Sequence, residues 1–338
     1  MSIERVKATV AALAFFTFAA TAAAAPVQYT TFDPPGSTDT EPQGINAAGE
    51  IAGYYFSPGI HGFVRSADGT ITSFDPAGSR FTLVGGLNDG GVVTGVYEDS
   101  DDLFHGFVRA PDGTLTVFDV SGSTGTIARS INGKGDITGF WRNDRSIAHG
   151  FVRKSNGRIN KFNVPGAVNG IDARSINDRG VVSGAYYDSG SVPHGFLRAA
   201  DGTITTFDPA GSVGTFPTAI DNKGNIIGFY SDGCSFPGCA HGFLRTPDGT
   251  FATFDAQGSV YTRPTAINKK GEIIGWYYDV RGVSHGFLRT SKDVIKRFDP
   301  PGGNHTTASS INNVSQSVGT YHVGDDIGGP LHGFLRSR

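Results

Sequence analysis

The sequence predicts an all-β fold, a seven-bladed β-propeller with four short antiparallel strands in each blade. Three observations predict it. The tripeptide His-Gly-Phe recurs seven times at spacings of 44 to 47 residues, and a fixed period of this size indicates an array of one supersecondary unit. No window after the first residues has the apolar spacing of a helix. The pair Phe-Asp or Phe-Asn also occurs seven times but begins one repeat earlier. The repeated histidines are His61, His105, His149, His194, His241, His285 and His332.

Each repeat has one internal order. An Ile-Asn-like pair and a turn come first, then an apolar run, a loop, the His-Gly-Phe strand, a tight turn and a short stretch that ends in Phe-Asp. Dipeptides such as Asp68-Gly69 and Asn156-Gly157 predict two-residue hairpin turns in which both residues adopt positive φ. Four strands within such a repeat match the size of a propeller blade.

The offset between the two motifs predicts how the array closes. Phe32 precedes the first His-Gly-Phe, and no Phe-Asp follows His332. We therefore expect the segment Gln28–Phe32 to complete the last blade as its fourth strand. Ring closure removes the unpaired edges that an open array exposes. The alternative, an open solenoid, needs capping repeats, and the sequence has none.

The first residues predict export. Arg5 and Lys7 precede an apolar run and a series of alanines, the pattern of a signal peptide that spans residues 1–24. A retained membrane anchor is the alternative. Residues 25–338 then form a single propeller domain, periplasmic or extracellular, with no membrane span in the mature chain. In an oxidising compartment Cys234 and Cys239 are expected to form a disulfide, and a metal site is the alternative.

The repeated residues are expected to be structural. The seven histidines open the third strand of each blade, and we expect each ring to hydrogen-bond a neighbouring backbone, Asn or Asp group rather than to bind a ligand. The repeated Phe of Phe-Asp should form much of the core between blades. An aromatic residue such as Trp141 follows each second-strand Gly by two positions. These rings either wedge between blades or stack on sugars.

Binding residues are expected where the repeats differ. Arg129, Arg174 and Arg263 could gather at the mouth of the axial channel and bind an anion, or they are solvated rim charges. The loops after the second strands vary most, and they supply Asp101 and Asp102. His322 lies outside the repeat pattern, and it either acts in acid–base chemistry with Asp325 or Asp326 or is simply solvated.

The His-x-Phe tripeptide, the Ile-Asn-x-x-Gly turn and the Asp-Gly-Thr hairpin resemble the bacterial HAF-type extracellular repeat family. Here all seven copies have Gly where that family has Ala. The resemblance covers the whole mature chain and implies export and a propeller-like fold, but no activity and no catalytic residues.

Two functions remain open on the sequence. The first is a non-catalytic binding or interaction module that uses one face of the propeller; a purely structural cell-surface repeat has the same sequence features. The second is an extracytoplasmic enzyme acting on a carbohydrate or a lactone at the mouth of the axial channel. No catalytic motif is present, and we expect no cofactor and no metal. The expected partner is an extracellular ligand, a glycan or a protein, bound by a monomer. The net charge of −3 gives no reason to expect nucleic acid.

Overall fold

The computed structural model describes residues 26–233, 240–324 and 329–337, which form 28 strands and no helix. The expected signal peptide therefore lies outside the described residues, as do Cys234, Cys239, Asp325 and Asp326. None of the described residues belongs to a helix that could cross a membrane.

The strands follow the sequence repeats, four to a repeat. Repeat one contains β2 (Asp39–Ile45), β3 (Ile51–Ser57), β4 (Gly59–Arg65) and β5 (Ile71–Phe74), and repeat two contains β6 (Phe81–Leu87), β7 (Val93–Glu98), β8 (Phe104–Arg109) and β9 (Leu115–Phe118). Repeat three contains β10 (Gly125–Ile131), β11 (Ile137–Arg142), β12 (Ala148–Arg153) and β13 (Ile159–Phe162), and repeat four contains β14 (Ile171–Ile176), β15 (Val182–Tyr187), β16 (Pro193–Arg198) and β17 (Ile204–Phe207). Repeat five contains β18 (Gly214–Ile220), β19 (Ile226–Ser231), β20 (Ala240–Arg245) and β21 (Phe251–Phe254), and repeat six contains β22 (Ser259–Ile267), β23 (Ile273–Asp279), β24 (Ser284–Arg289) and β25 (Ile295–Phe298). Repeat seven contains β26 (Gly303–Ile311), β27 (Ser317–Val323) and β28 (Leu331–Ser337).

The first strand of the chain, β1 (Gln28–Phe32), pairs with the last. It runs antiparallel to β28 over five residue pairs, from Gln28 opposite Ser337 to Phe32 opposite Gly333. Asp33, just after β1, accepts a 2.7 Å hydrogen bond from Nδ1 of His332. The strand thus occupies the position beside β28 that β5 occupies beside β4 in the first repeat.

Pairing between repeats is sparse. Within a repeat the strands pair antiparallel along their length, whereas neighbouring repeats share single parallel pairs such as Ile60 with Phe81 and Asp39 with Leu331. The hydrogen-bonded ladders of the described residues therefore divide into sheets of 16, 4 and 8 strands. Side chains, rather than backbone ladders, hold the repeats together.

The core between repeats consists of aromatic pairs. The Phe of each His-Gly-Phe, such as Phe63 and Phe334, is completely buried. It meets the Phe of the preceding Phe-Asp edge to face, and the guanidinium of the Arg two residues further along lies over that ring. Phe298, for example, lies 6.1 Å from Phe334 and 4.9 Å from the guanidinium of Arg336. Burying one such ring stabilises the fold by about 1.5–3 kcal/mol. The repeat pattern alone predicts only the Phe of Phe-Asp as core.

The prediction of two-residue hairpin turns is wrong. At Asp68-Gly69 only the glycine has positive φ, +97°, and its N–H bonds the carbonyl of Ser66 at 2.9 Å. Asp68 instead uses its carboxylate to accept the backbone N–H of Thr70 at 2.9 Å. This is a type I turn followed by one left-handed residue, because Asp gains more from that local hydrogen bond than from adopting positive φ.

The Asn of the Ile-Asn pair links each repeat to the next. Its Nδ2 donates to the backbone carbonyl of the equivalent residue in the following repeat, for example from Asn132 to Asn177 at 2.9 Å. We call this set the asparagine ring: Asn46, Asn88, Asn132, Asn177, Asp221, Asn268 and Asn312. Asp221 has no amide and donates no such bond. Asn312, in the last repeat, donates to Asn46, in the first, at 2.9 Å.

Candidate ligand-binding site

The first strands of all the repeats line one cavity of about 480 Å³. We call it the arginine cavity. Most of its lining residues belong to those strands, and Trp276 is added by β23, a second strand. It is lined by Glu41, Gln43, Val84, Gly85, Arg129, Arg174, Thr218, Arg263, Thr265, Trp276, Thr307, Ala308 and Ser309.

Glycine at position 85 lets the first strand of repeat three approach the first strand of repeat two closely. A Cβ at Gly85 would lie 2.6 Å from the carbonyl oxygen of Ala128, so no larger residue fits without moving backbone. The neighbouring repeat supplies Arg129 instead, whose side chain is 45% exposed. The position that has no side chain in repeat two thus holds a cation in repeat three.

The three arginines proposed from the sequence line this cavity together. Asp172 lies between two of them, with its carboxylate 3.6 Å from Nε of Arg129 and 2.8 Å from Nε of Arg174. Arg263 has no carboxylate within ion-pair distance among the described residues. Its side-chain hydrogen bond goes to Tyr261, and burial lowers the pKa of its guanidinium. The cavity therefore has an excess of positive charge.

An aromatic wall supports Arg263. The guanidinium lies 5.3 Å from the ring centre of Phe229 and 5.7 Å from that of Trp276. Tyr261 stacks on Trp276 at 5.4 Å, and Tyr278 meets the same indole edge to face at 5.1 Å. Rings packed on one another hold the indole and the cation in one place, because neither can rotate away without losing contacts.

One carboxyl in the cavity was missed by the sequence analysis. Burial, and then the negative charge of Asp39, raise the pKa of Glu41 to about 7. Its cross-strand partner Tyr54 has a pKa raised to about 12, chiefly by burial and by Glu41, with Arg129 acting in the opposite direction. A signal existed: Glu41 stands four residues before the Ile-Asn pair, a slot that holds Leu83 and Ile127 in the next two repeats.

The repeated histidines use their ring nitrogens within the fold. Nδ1 of each ring bonds the Asp or Asn fourteen residues later, or Asp33 for the last; these bonds join His61 to Asp75, His105 to Asp119, His149 to Asn163, His194 to Asp208, His241 to Asp255, His285 to Asp299 and His332 to Asp33. Each ring also packs on the aromatic residue of the second strand, for example Tyr97 on His105 at 5.0 Å. The Asp or Asn of each Phe-Asp or Phe-Asn pair thus forms a hydrogen bond with a histidine ring.

The other candidates are not among the residues that line the arginine cavity. Trp141 packs on His149 at 4.8 Å, and the ammonium of Lys161 lies 4.4 Å from its ring centre. Asp102 pairs with Arg80, and Asp101 lies exposed in the same loop. The ring of His322 meets that of His305 at 6.2 Å, and its Nδ1 is buried without a hydrogen-bond partner.

Metal ligands do not converge in the described part of the chain. No group of three or more His, Asp, Glu or Cys side chains there is placed to hold an ion. The cavity itself offers cations, one carboxyl, hydroxyl groups and an indole. Such a set can bind an anion that also carries hydroxyl groups.

Comparison with known proteins shows the fold. No protein-family model matches the chain, and no curated protein matches it significantly. A catalytically inactive variant of virginiamycin B lyase from Staphylococcus aureus, solved with quinupristin, superposes with a TM-score of 0.61 at 14% identity over 92% of this chain and 99% of that one. A streptogramin B lyase does so with a TM-score of 0.61 at 11% identity, over 92% and 98%. A prolyl endopeptidase has a TM-score of 0.61 at 10% identity, over 85% of this chain and 47% of that one. The chain is an all-β protein with a β-propeller fold.

Proposed function

We propose that this chain is an exported, closed seven-bladed propeller that binds a carboxylate-bearing sugar in the arginine cavity without catalysing a reaction on it. The observation that carries the proposal is the convergence of Arg129, Arg174 and Arg263 from three repeats, with a single carboxylate, Asp172, beside two of them. The guanidinium of Arg263 is compensated for its lost hydration by Tyr261 and two aromatic rings, but by no carboxylate of the described residues. A ligand carboxylate supplies the missing partner, and Arg binds it through two parallel hydrogen bonds.

Different observations support ring closure and export. For closure, β1 pairs with β28, Asn312 donates to the carbonyl of Asn46, and the first strands of all repeats line one cavity. For export, residues 1–24 have the composition of a signal peptide. The channel along the axis of such a ring is the arginine cavity.

The remaining lining favours a sugar over a simple anion. Gln43 places an amide at the cavity, and Thr218, Thr265 and Ser309 place hydroxyl groups there. Each of the three hydroxyls donates to a backbone carbonyl, so its oxygen can accept a hydrogen bond from a hydroxyl of a pyranose. Trp276 offers an indole to the apolar face of the ring. The volume of about 480 Å³ lies within the range of roughly 300–1,000 Å³ that ligand pockets occupy.

The test uses Trp276 as a reporter. The chain has two tryptophans, so the substitution Trp141→Phe leaves the indole in the cavity as the only one. We expect D-galacturonate to change its fluorescence in a saturable way and D-galactose, the matched neutral sugar, to do so far more weakly. Arg263→Ala should weaken galacturonate binding about 10- to 100-fold, the equivalent of one charge-assisted hydrogen bond.

Arg158→Ala is the matched control. This arginine is exposed in a turn and does not line the cavity, so its loss changes the net charge equally but should leave binding as it was. Equal binding of galacturonate and galactose, or no response to either at tens of millimolar, would refute the proposal.

A second function, an enzyme with its site in the same cavity, is favoured by Glu41. A carboxyl with a pKa of about 7 can both accept and donate a proton at neutral pH. Incubation with polygalacturonate, followed by assay of new reducing ends and of unsaturated uronate absorbance, tests this. Turnover that Glu41→Gln abolishes would establish the enzyme and refute the non-catalytic proposal, whereas saturable binding with no product supports the binding module.

A further inference from the structure

A second, smaller cavity adjoins the first, between repeats three and four. It has a volume of about 210 Å³ and is lined by Arg129, Arg142, Asn169, Asp172 and Tyr187 together with apolar residues of both repeats. We call it the side cleft. Arg129 lines both the side cleft and the arginine cavity. The arginine cavity and the side cleft are therefore adjacent, and the side chain of Arg129 borders both.

Two cations share one aromatic ring in the side cleft. The guanidinium of Arg129 lies 5.3 Å from the ring centre of Phe140, and that of Arg142 lies 6.0 Å from it. Like charges held on one ring repel each other unless an anion lies between them. Asp172 contacts Arg129 and Arg174, but within the described ranges no carboxylate lies within ion-pair distance of Arg142. The side cleft thus retains an unmatched positive charge.

The chemistry of the side cleft repeats that of the arginine cavity on a smaller scale. An unmatched arginine and the hydroxyl of Tyr187 line it, as arginines and hydroxyl groups line the arginine cavity. Asn169 lines it as well, with its Nδ2 bonded to the carbonyl of Asp188 and to Oγ of Ser191. The volume of the side cleft is below the roughly 300–1,000 Å³ of independent ligand sites. A space of this size suits one further unit of a ligand that is already bound in the arginine cavity. Anchoring one unit makes the binding of the next intramolecular.

We propose that the ligand is an acidic oligosaccharide of at least two carboxylate-bearing units that runs from the arginine cavity into the side cleft. Arg129 lies at the junction of the two units, and Arg142 binds the carboxylate of the outer unit. This inference rests on the proposed function, because the inner unit occupies the arginine cavity. A nucleic acid is a poorer fit for a chain of net charge −3 whose unmatched cations lie in two small cavities.

The experiment is a calorimetric titration of the full mature chain with D-galacturonate, digalacturonate and trigalacturonate. We expect the affinity to rise at least 10-fold from monomer to dimer and to change little from dimer to trimer. Arg142→Ala should bring the affinity for the dimer down to that for the monomer. Arg142 is exposed, so its replacement leaves the core intact. Arg158→Ala, the exposed control, should keep the full gain.

The outcomes separate this inference from the proposed function. Monomer binding without a gain for the dimer, or an equal loss for both ligands in Arg142→Ala, would overturn the oligosaccharide inference alone. Absence of monomer binding in the wild-type chain would overturn the proposed function. Inorganic tripolyphosphate is the control for binding by charge alone. If it bound as tightly as trigalacturonate, with the same dependence on Arg142, the ligand would be a polyphosphate and the oligosaccharide inference would be refuted.

Discussion

Replacing Phe32 by Ala tests whether the first strand is part of the fold. Phe32 is 7% exposed, its ring lies 6.2 Å from that of Phe63, and the guanidinium of Arg65 lies 5.1 Å from its centre. Phe298, at the end of repeat six, is also 7% exposed and has the same two kinds of neighbour at 6.1 and 4.9 Å. The two sites match in burial and chemistry, and they differ in that only Phe32 belongs to the first strand.

The magnitude follows from this match. Truncating a buried Phe to Ala costs about 3–5 kcal/mol, since the lost transfer energy of the ring adds to the cost of the cavity. If β1 is a cooperative part of a closed ring, Phe32→Ala and Phe298→Ala should both lower the free energy of unfolding by that amount. If β1 detaches on its own, the cost at Phe32 is limited to the small free energy of releasing one strand.

Urea unfolding followed by circular dichroism measures both variants. Phe32→Leu, which keeps most of the side-chain volume, should lose clearly less than Phe32→Ala. A Phe32→Ala variant within about 1 kcal/mol of the wild type, beside a Phe298→Ala variant that loses about 3–5 kcal/mol, would refute closure by the N-terminal strand.

Three further predictions concern polar groups. Asn177→Asp should cost about 1–3 kcal/mol in urea unfolding, because a buried carboxylate would face the carbonyl to which Nδ2 now donates at 2.9 Å, whereas Asn156→Asp in an exposed turn should be neutral. Burial lowers the pKa of His105, but hydrogen bonds to two aspartates outweigh it and the net pKa is raised. Its stabilisation is therefore complete below the unfolded pKa of about 6.5 and is lost as pH rises through the higher folded pKa; His105→Gln should reduce the fall in Tm between about pH 6 and 9. The raised pKa of Glu41, about 7, means that ionising it disfavours the folded state, so Glu41→Gln should have the higher Tm at about pH 8 and the same Tm as wild type below about pH 4. A pH-independent difference in Tm would contradict this.

Much of the fold followed from the sequence because the repeat is nearly regular. The predicted segment Gln28–Phe32 coincides with β1, and the two motifs fall where the pattern of four strands requires. The type of the Asp-Gly turns could not be predicted from the sequence. Asp-Gly suits both a two-residue turn and a longer one, and the choice depends on whether the carboxylate finds a local N–H, as Asp68 does with Thr70.

Only part of the candidate site could be predicted from the sequence. Arg129, Arg174 and Arg263 were found because they interrupt a repeat at positions that face one cavity. Glu41 was not predicted, because its raised pKa depends on its burial and on the charge of Asp39 beside it, and a linear sequence does not show either effect. The unmatched charge of Arg142 was also invisible, since it depends on which arginines Asp172 contacts across two repeats.

The contrast between repeated and variable residues favours the arginine cavity as the proposed binding site. A repeated side chain such as His105 has both ring nitrogens bonded to aspartates, so it has no free polar atom to offer. In the first strands, the position two residues before the Ile-Asn pair holds an amide, a glycine, two arginines, two threonines and a serine in turn. These residues all line the arginine cavity. Gly85 cannot be enlarged without moving backbone, and Thr265 and Ser309 each donate to a backbone carbonyl of another repeat, but the residue type still differs from repeat to repeat. A propeller can therefore keep its scaffold constant and vary the charge of the cavity at two positions of each first strand. Arg129 and Arg174 stand two residues before the Ile-Asn pair, whereas Arg263 stands four residues before it, in the slot that Glu41 occupies in repeat one.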